Sequence, residues 1–310
     1  GGHLRALRGF GAREPGFALG FDLYLEELSL RPPPPAAAAE TTLGRERRKQ
    51  THTLGPALER SLRWFAAHPG ELAFHFLHGF DVHEYRSVER SWWEATLAAH
   101  TPGRGREAVD ACMREVGAEE DDAFVVHFPN APLFRDAQTG RLGPREPCHR
   151  LLGDLLYEAR IRSVEAMLAR YVEGLRALGV YDRALVIVTS DHGEGLLDET
   201  DWNGDAGWGH NRILANNLAV PLWLKLPGAA RAGTRVSEPA GLLDLRATLG
   251  KALGVDLGAG DGVDALRAGV PRARPLPFAS NADGFGFVLA DGGLCAWKGD
   301  AAGGAERSRR

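Results

Sequence analysis

The sequence predicts an α/β fold, a mostly parallel sheet sandwiched by helices, with a small hairpin region near the C-terminal end. Three observations lead there. In residues 151–178, Tyr157, Ile161, Val164, Leu168, Tyr171, Leu175 and Leu178 recur at three- and four-residue steps, one face of a long amphipathic helix. After Gly179, a helix-ending residue, comes ALVIVT at residues 184–189, apolar without alternation, the pattern of a strand buried on both faces. A second such strand, VPLWLKLPG at residues 220–228, precedes another helical stretch at residues 241–255.

The other elements follow in chain order. RPPPPAAAAE, residues 31–40, is Pro-led and low in complexity, an extended surface loop. Residues 51–67 place Leu54, Leu58, Leu62 and Phe65 at helical spacing, and HPG at residues 68–70 ends that helix. LAFHFLHGFDVHEY, residues 72–85, reads as a short buried strand running into a polar loop. Residues 87–120 read as helix interrupted by TPGRG. NADGFGFVLADGGLCAWKG, residues 281–299, reads as a hairpin turning at Asp291-Gly292. There is no internal repeat. The expected division is a main domain over residues 1–257 and an extension of it, partly loop, over residues 258–310.

Composition narrows the function classes. The chain has 310 residues, 44% hydrophobic and 25% charged, the profile of a globular domain. A net charge of −4 gives no basic field of the kind nucleic-acid binding needs. No apolar run is long enough for a membrane span. The 3 cysteines, Cys112, Cys148 and Cys295, have no C-x-x-C spacing and are too few for a disulfide framework.

The chemistry gathers where the apolar strand stops. In ALVIVTSDHGE, Asp191 and His192 follow the strand directly, at the carboxyl end where open α/β sheets build their sites. A carboxylate beside an imidazole suits a divalent cation, and Gly193 lets the backbone turn so that both side chains face one point. For an isolated Asp-His pair, a helix cap and a solvated ring would be the simpler account. The strand-end position and a second histidine, His210 in WGHNR, decide for a site, with His210 as general acid or anion-binding donor.

In HGFDVHEY, residues 78–85, His78, Asp81 and His83 also follow an apolar run. They read as metal ligands or donors to an anion, against a polar loop with incidental histidines. His3, His52, His68, His75, His100, His127 and His149 have no chemical partner in sequence, and His75 alternates with core residues. Trp92-Trp93 reads as packing. There is no G-x-S-x-G elbow, P-loop or dinucleotide fingerprint, and Cys148 beside His149 does not make a catalytic dyad.

The block LYEARIRSVEAMLARYVEGLRALGVYDRALVIVTSDHGE, residues 156–194, resembles the sulfatase family of the alkaline phosphatase superfamily. Further blocks resemble it in the same order. They are GFGAREPGFALGFDLY at residues 9–24, FLHGFDVHEY at 76–85, GHNRILANNLAVPLWLKLPG at 209–228 and VSEPAGLLDLRATLGKALG at 236–254. DGVDAL and Trp297-Lys298 also fall where family members carry a Gly-led turn and a lysine.

The resemblance implies an alkaline phosphatase-like fold and a hydrolase of sulfate esters that uses a divalent metal, Ca or Mg, with Mn or Zn as alternatives. Asp191 and His192 would be metal ligands. His83 and His210 would donate to the oxygens of the ester group, His210 alternatively protonating the leaving group, and Lys298 would bind substrate. The implied substrate is a small-molecule or glycan ester, and family habit places such enzymes in the bacterial periplasm or outside the cell.

The sequence departs from the family at Val82 and Arg86, at Asn211 after His210, and in the acid-rich stretch with Asp198, Glu199, Asp201 and Asp205. The nucleophile motif Cys/Ser-x-Pro-x-Arg is not found, and none of the 3 cysteines lies in such a context. The expectation is a chain lacking its N-terminal segment, inactive alone, with formylglycine supplied by that segment. One alternative is a phosphoryl or phosphonate ester hydrolase, or a phosphoglycerol transferase with Thr or Ser as nucleophile. An alternative of another class is a binding remnant without catalysis. Retention of Asp191, His192, His83 and His210 together argues against it, because packing needs no such set.

Overall fold

The computed structural model describes residues 54–83, 85–100, 105–120, 124–126, 146–200, 206–210, 214–267, 275–280, 284–289, 293–299 and 305–309. The stretches 9–24 and 31–40, Asp201, Asp205, Asn211 and the Asp291-Gly292 turn lie outside them. The chain is a mixed helix-and-strand protein that forms two compact units, Gly1–Tyr181 and Asp182–Arg310.

In the first unit the helices are α1 (Leu54–Ala67), α2 (Arg90–His100), α3 (Arg106–Val116) and α4 (Glu146–Ala177), and the strands are β1 (Ser87–Glu89), β2 (Glu119–Glu120) and β3 (Phe124–Val126). At 32 residues α4 is about 48 Å long and forms the spine on which α1, α2 and α3 pack. The strands make one antiparallel sheet in the order β1-β3-β2. The core joins Val88, Trp93, Leu97, Val109, Met113 and Val125 to Leu152, Leu155, Leu156 and Ala159 of α4. Each large side chain enclosed there contributes about 1.5–3 kcal/mol.

The helix over residues 151–178 is borne out, and Gly179 leaves it with φ 66°, a left-handed value that glycine tolerates. Its buried face is the expected one only in part: Leu175 is buried, and Tyr157, Val164, Leu168 and Tyr171 are partly so. Ile161 and Leu178 are exposed, whereas Leu152, Leu155, Leu156, Ala159, Arg160 and Ser163 are buried. The apolar stripe misleads because polar residues share the buried line. The Arg160 guanidinium donates to the Ser87 carbonyl and lies 3.5 Å from a Glu89 carboxylate oxygen, so its charge is compensated.

Residues 71–80 depart from the expected buried strand. They are extended but pair with no strand among the described residues, and Leu72, Phe74 and Phe76 are exposed. The alternate position, His75, points back onto α1. Ser61 Oγ lies 2.7 Å from His75 Nδ1 and 2.8 Å from the Tyr171 hydroxyl, and the imidazole stacks on Phe65 at 4.3 Å. This enclosure by apolar rings lowers the His75 pKa below its usual value.

Two of the cysteines pair, contrary to the expectation from their number. Cys112 of α3 and Cys148 of α4 form a disulfide with their Cα atoms 4.9 Å apart. The two helices lie side by side in space, which spacing along the chain does not show.

The second unit contains β4 (Val186–Thr189), β5 (Gly195–Thr200), β6 (Ala206–Gly209), the one-turn helix α5 (Ala215–Leu218), β7 (Leu222–Lys225), α6 (Leu245–Leu253), β8 (Leu276–Ser280), β9 (Gly284–Val288), β10 (Leu294–Gly299) and β11 (Ala305–Arg309). The expected hairpin near the C-terminal end is the β9–β10 pair, extended to a sheet in the order β11-β10-β9-β8.

The strands expected as successive parallel members, β4 and β7, instead pair antiparallel, with Thr189 opposite Leu222 and Val186 opposite Lys225. Among the described residues every strand pairing is antiparallel. β4 is also half-buried rather than enclosed on both faces. The physical reason for the reversal is the connection. Between β4 and β7 the chain makes the β5–β6 hairpin and the single turn α5, with no crossover helix among the described residues to carry it to the other end of the strand. The connection therefore starts and finishes at the carboxyl end of β4.

The helix expected over residues 241–255 is present as a 3-10 turn, Leu242–Asp244, running into α6. Asp244 is fully buried. Its carboxylate accepts the Gly241 and Val263 amides at 2.9 and 2.8 Å. The hydroxyl of Thr248 donates to the Asp244 carbonyl and accepts the Ala265 amide at 2.7 and 2.9 Å. An Asp and a Thr one helical turn apart thus fasten the GVDA segment to the helix.

Candidate functional site

The carboxyl end of β4 is a dense set of polar contacts. The Ser190 hydroxyl donates to the His192 carbonyl at 2.6 Å, and Asp191 Oδ1 accepts the His192 amide at 3.1 Å. Asp191 Oδ1 also lies 3.8 Å from His192 Nε2. The other ring nitrogen, Nδ1, is 2.8 Å from the Gly193 carbonyl. A carbonyl only accepts, so Nδ1 carries the proton in that bond and Nε2 keeps the lone pair.

Gly193 is required for a different reason than a tight turn. A Cβ there would stand 1.8 Å from the Asn216 carbonyl oxygen, so no other residue fits without moving the backbone of α5. The Gly193 amide donates to the Asn217 carbonyl at 2.9 Å. The Asn217 side chain, itself buried, donates to the Gly209 carbonyl at 3.1 Å. One asparagine thus ties the entry of β5 to the exit of β6.

This tie brings His210 to the strand end. Its ring stacks on that of His192 with centroids 4.2 Å apart and planes 25° apart. Glu194, whose side chain is 7% exposed, places Oε2 3.0 Å from His210 Nδ1. One donor atom each of His192, Glu194 and His210 lies within 4.8 Å of the others. Two imidazoles and a carboxylate, with the Asp191 carboxylate adjoining, are a donor set that fits a divalent cation.

Asp191, His192 and His210 are therefore brought together as expected. His83 lies in the first unit, on a loop where it packs against Phe80 with centroids 5.3 Å apart. His78 packs edge-on against the same ring at 5.2 Å. Asp81, read as a possible ligand, is buried and accepts the Leu54 amide at 2.9 Å, so it caps the first turn of α1. Lys298 sits on β10 opposite Glu306, and its side chain lies outside the described residues. So do the side chains of Asp198 and Glu199.

Glu194 and Asn217 were not singled out by sequence reasoning. For Glu194 a signal existed. In extended chain, residues two apart share a face, so Glu194 belongs on the face of His192. Asn217 had no such signal, since its contacts join segments distant in sequence.

The described residues form a mixed helix-and-strand fold, and His192, Glu194 and His210 are a group that could hold a metal ion. Residues 154–255, about a third of the chain, match the family model described as Sulfatase. The match spans the second half of α4, β4, the His192–His210 connection, β7 and α6.

No curated protein matches. Among solved structures, the chain is similar to a sulfatase candidate, yidJ from Bacteroides fragilis, at 13% identity and a TM-score of 0.48, covering 83% of this chain and 51% of that one. It is also similar to the crystal structure of Ps i-CgsB, at 14% identity and a TM-score of 0.37, covering 79% of this chain and 55% of that one. The chain thus spans about half the length of these structures.

Proposed function

We propose that this chain is the body of a metal-dependent hydrolase of sulfate esters. The observation that carries the reading is the convergence of Asp191, His192 and His210 at the carboxyl end of β4, inside the segment that matches the sulfatase family. Asp191 and His192 would hold the cation through a carboxylate oxygen and Nε2. A divalent cation supplies Lewis-acid stabilisation of negative charge on the ester oxygens. His210 would donate to those oxygens and return a proton to the leaving group. Lys298 would bind the anionic substrate.

The nucleophile, a formylglycine, belongs to the family's motif and would come from a segment outside this sequence, so the isolated chain should not turn over substrate. The family's alkaline phosphatase-like fold, a mostly parallel sheet between helix layers, goes with this reading, with β4–β7 as an antiparallel pair within it. Residues 1–257 would form the catalytic body and residues 258–310 its extension. The substrate is a small-molecule or glycan ester. The Cys112–Cys148 disulfide supports a periplasmic or extracellular setting, because such bonds persist where thiols are oxidised.

The test is turnover of aryl sulfate, phosphate and phosphonate monoesters by the natural full-length protein, before and after chelation. Sulfate ester hydrolysis that stops with chelator and returns with a divalent cation is the expected result. Preference for a phosphate or phosphonate ester would move the protein to the neighbouring chemistry of the superfamily. No turnover of any ester in the presence of cation would overturn the reading in favour of a binding remnant.

A further inference from the structure

We infer that Glu194 is the positioning residue of His210. It holds the imidazole as the Nδ1–H tautomer, so that Nε2 is the nitrogen that works. The inference rests on the proposed role of His210 at the ester group, but its geometry and its test do not need turnover.

An ionised carboxylate only accepts hydrogen bonds, so the 3.0 Å contact of Glu194 Oε2 with His210 Nδ1 requires the proton on Nδ1. Water imposes no such choice, and a solvated histidine prefers the opposite tautomer. The Glu194 side chain is nearly enclosed, which fixes one carboxylate against one ring. A carboxylate so placed orients a ring and stabilises the imidazolium when it forms.

The pair is also braced from outside. Asn217 accepts the amide of Gly193, the residue before Glu194, and donates to the carbonyl of Gly209, the residue before His210. The first rung of the β5–β6 hairpin, Gly195 opposite Gly209, adjoins both. The backbone beside both members is thereby held in place.

The stacked neighbour supplies the contrast. His192 directs Nδ1 to its own backbone, at the Gly193 carbonyl, and has the Asp191 carboxylate 3.8 Å from Nε2. Of two rings 4.2 Å apart, one is set by a carbonyl and one by a carboxylate.

The experiment is nitrogen-15 imidazole spectroscopy of the histidine-labelled chain, without metal, at a pH where the rings are neutral. His210 should show a protonated Nδ1 and a bare Nε2. In Glu194→Leu, which removes the acceptor at similar volume, the His210 signals should move toward the opposite tautomer while those of His192 stay in place, which also reports that the fold is intact. An Nε2–H tautomer in the unaltered protein, or an unchanged His210 in Glu194→Leu, overturns the inference.

A zinc titration distinguishes positioning from ligation. Zinc affinity should fall more in Asp191→Asn than in Glu194→Gln. The reverse pattern makes Glu194 a ligand and overturns the inference. Failure of the proposed ester hydrolysis would leave the tautomer result standing, and a wrong tautomer would leave the ester reading standing.

Discussion

His192 and His210 lie stacked with ring centroids 4.2 Å apart, although the chain between them runs out along one strand and back along another. The contact depends on the hairpin closing in register. Removing the first ring should therefore separate chemistry from folding. His192→Ala is expected to lower divalent-metal affinity by at least about tenfold, the scale of losses seen when metal-site residues are replaced. Activity of the full-length enzyme should fall with it, while denaturant unfolding stays cooperative. Metal titration and an unfolding curve on one preparation check both halves. Unchanged metal affinity would remove His192 from the site.

Gly193→Ala is a steric test of the same region. The added methyl would meet the Asn216 carbonyl at 1.8 Å, an approach that must be relieved by moving α5 and with it Asn217. The expected cost is about 3 kcal/mol, the upper part of the usual range for overpacking. Urea unfolding measures it, and a cost below 1 kcal/mol would mean that this approach is not as close as described.

Acidification should weaken the first unit through His75. Burial holds its folded pKa below the usual 6.5, so between those two values the unfolded chain binds more protons than the folded one. Stability is then fully present above the unfolded value and declines as pH falls from it toward the lower folded value. Thermal unfolding across that window should show the decline, and His75→Gln should flatten it. A slope of the opposite sign would show that the ring is charged in the fold.

Reduction of the Cys112–Cys148 bond should destabilise the same unit. It closes a segment of 36 residues, for which loss of the crosslink is worth about 4 kcal/mol in the chain-entropy account. Alkylation followed by mass measurement gives a second check. In the native oxidised protein Cys112 and Cys148 should resist the reagent, and Cys295, which is buried, should react only after denaturation.

Much of the second unit was legible in the sequence because its signals are local. The 184–189 strand, the helix ending at Leu253 and the β9–β10 hairpin each follow from periodicity and turn residues within one window. The Asp191, His192 and His210 cluster was legible through strand-end placement. What escaped depends on partners far along the chain. The direction of β7 against β4, the disulfide and the clamp by Asn217 each join segments whose encounter no window contains. The loop at residues 71–80 misled for the converse reason. Its alternation is that of a strand, but a strand is defined by neighbours, and the apolar alternates of this one face out.

The loop that bears His78 and His83 also has an anchorage. The chain leaves α1 at its last turn, where His68 Nδ1 bonds the Trp64 carbonyl, and returns at Asp81 to cap the first amide of that helix. The loop is strung along α1 like a bowstring, fastened at both ends and held at mid-span by His75 on Ser61. Helix and loop should then open to solvent together, as one cooperative segment. Hydrogen–deuterium exchange at the Leu54 amide becomes a remote gauge of how often His83 leaves its place.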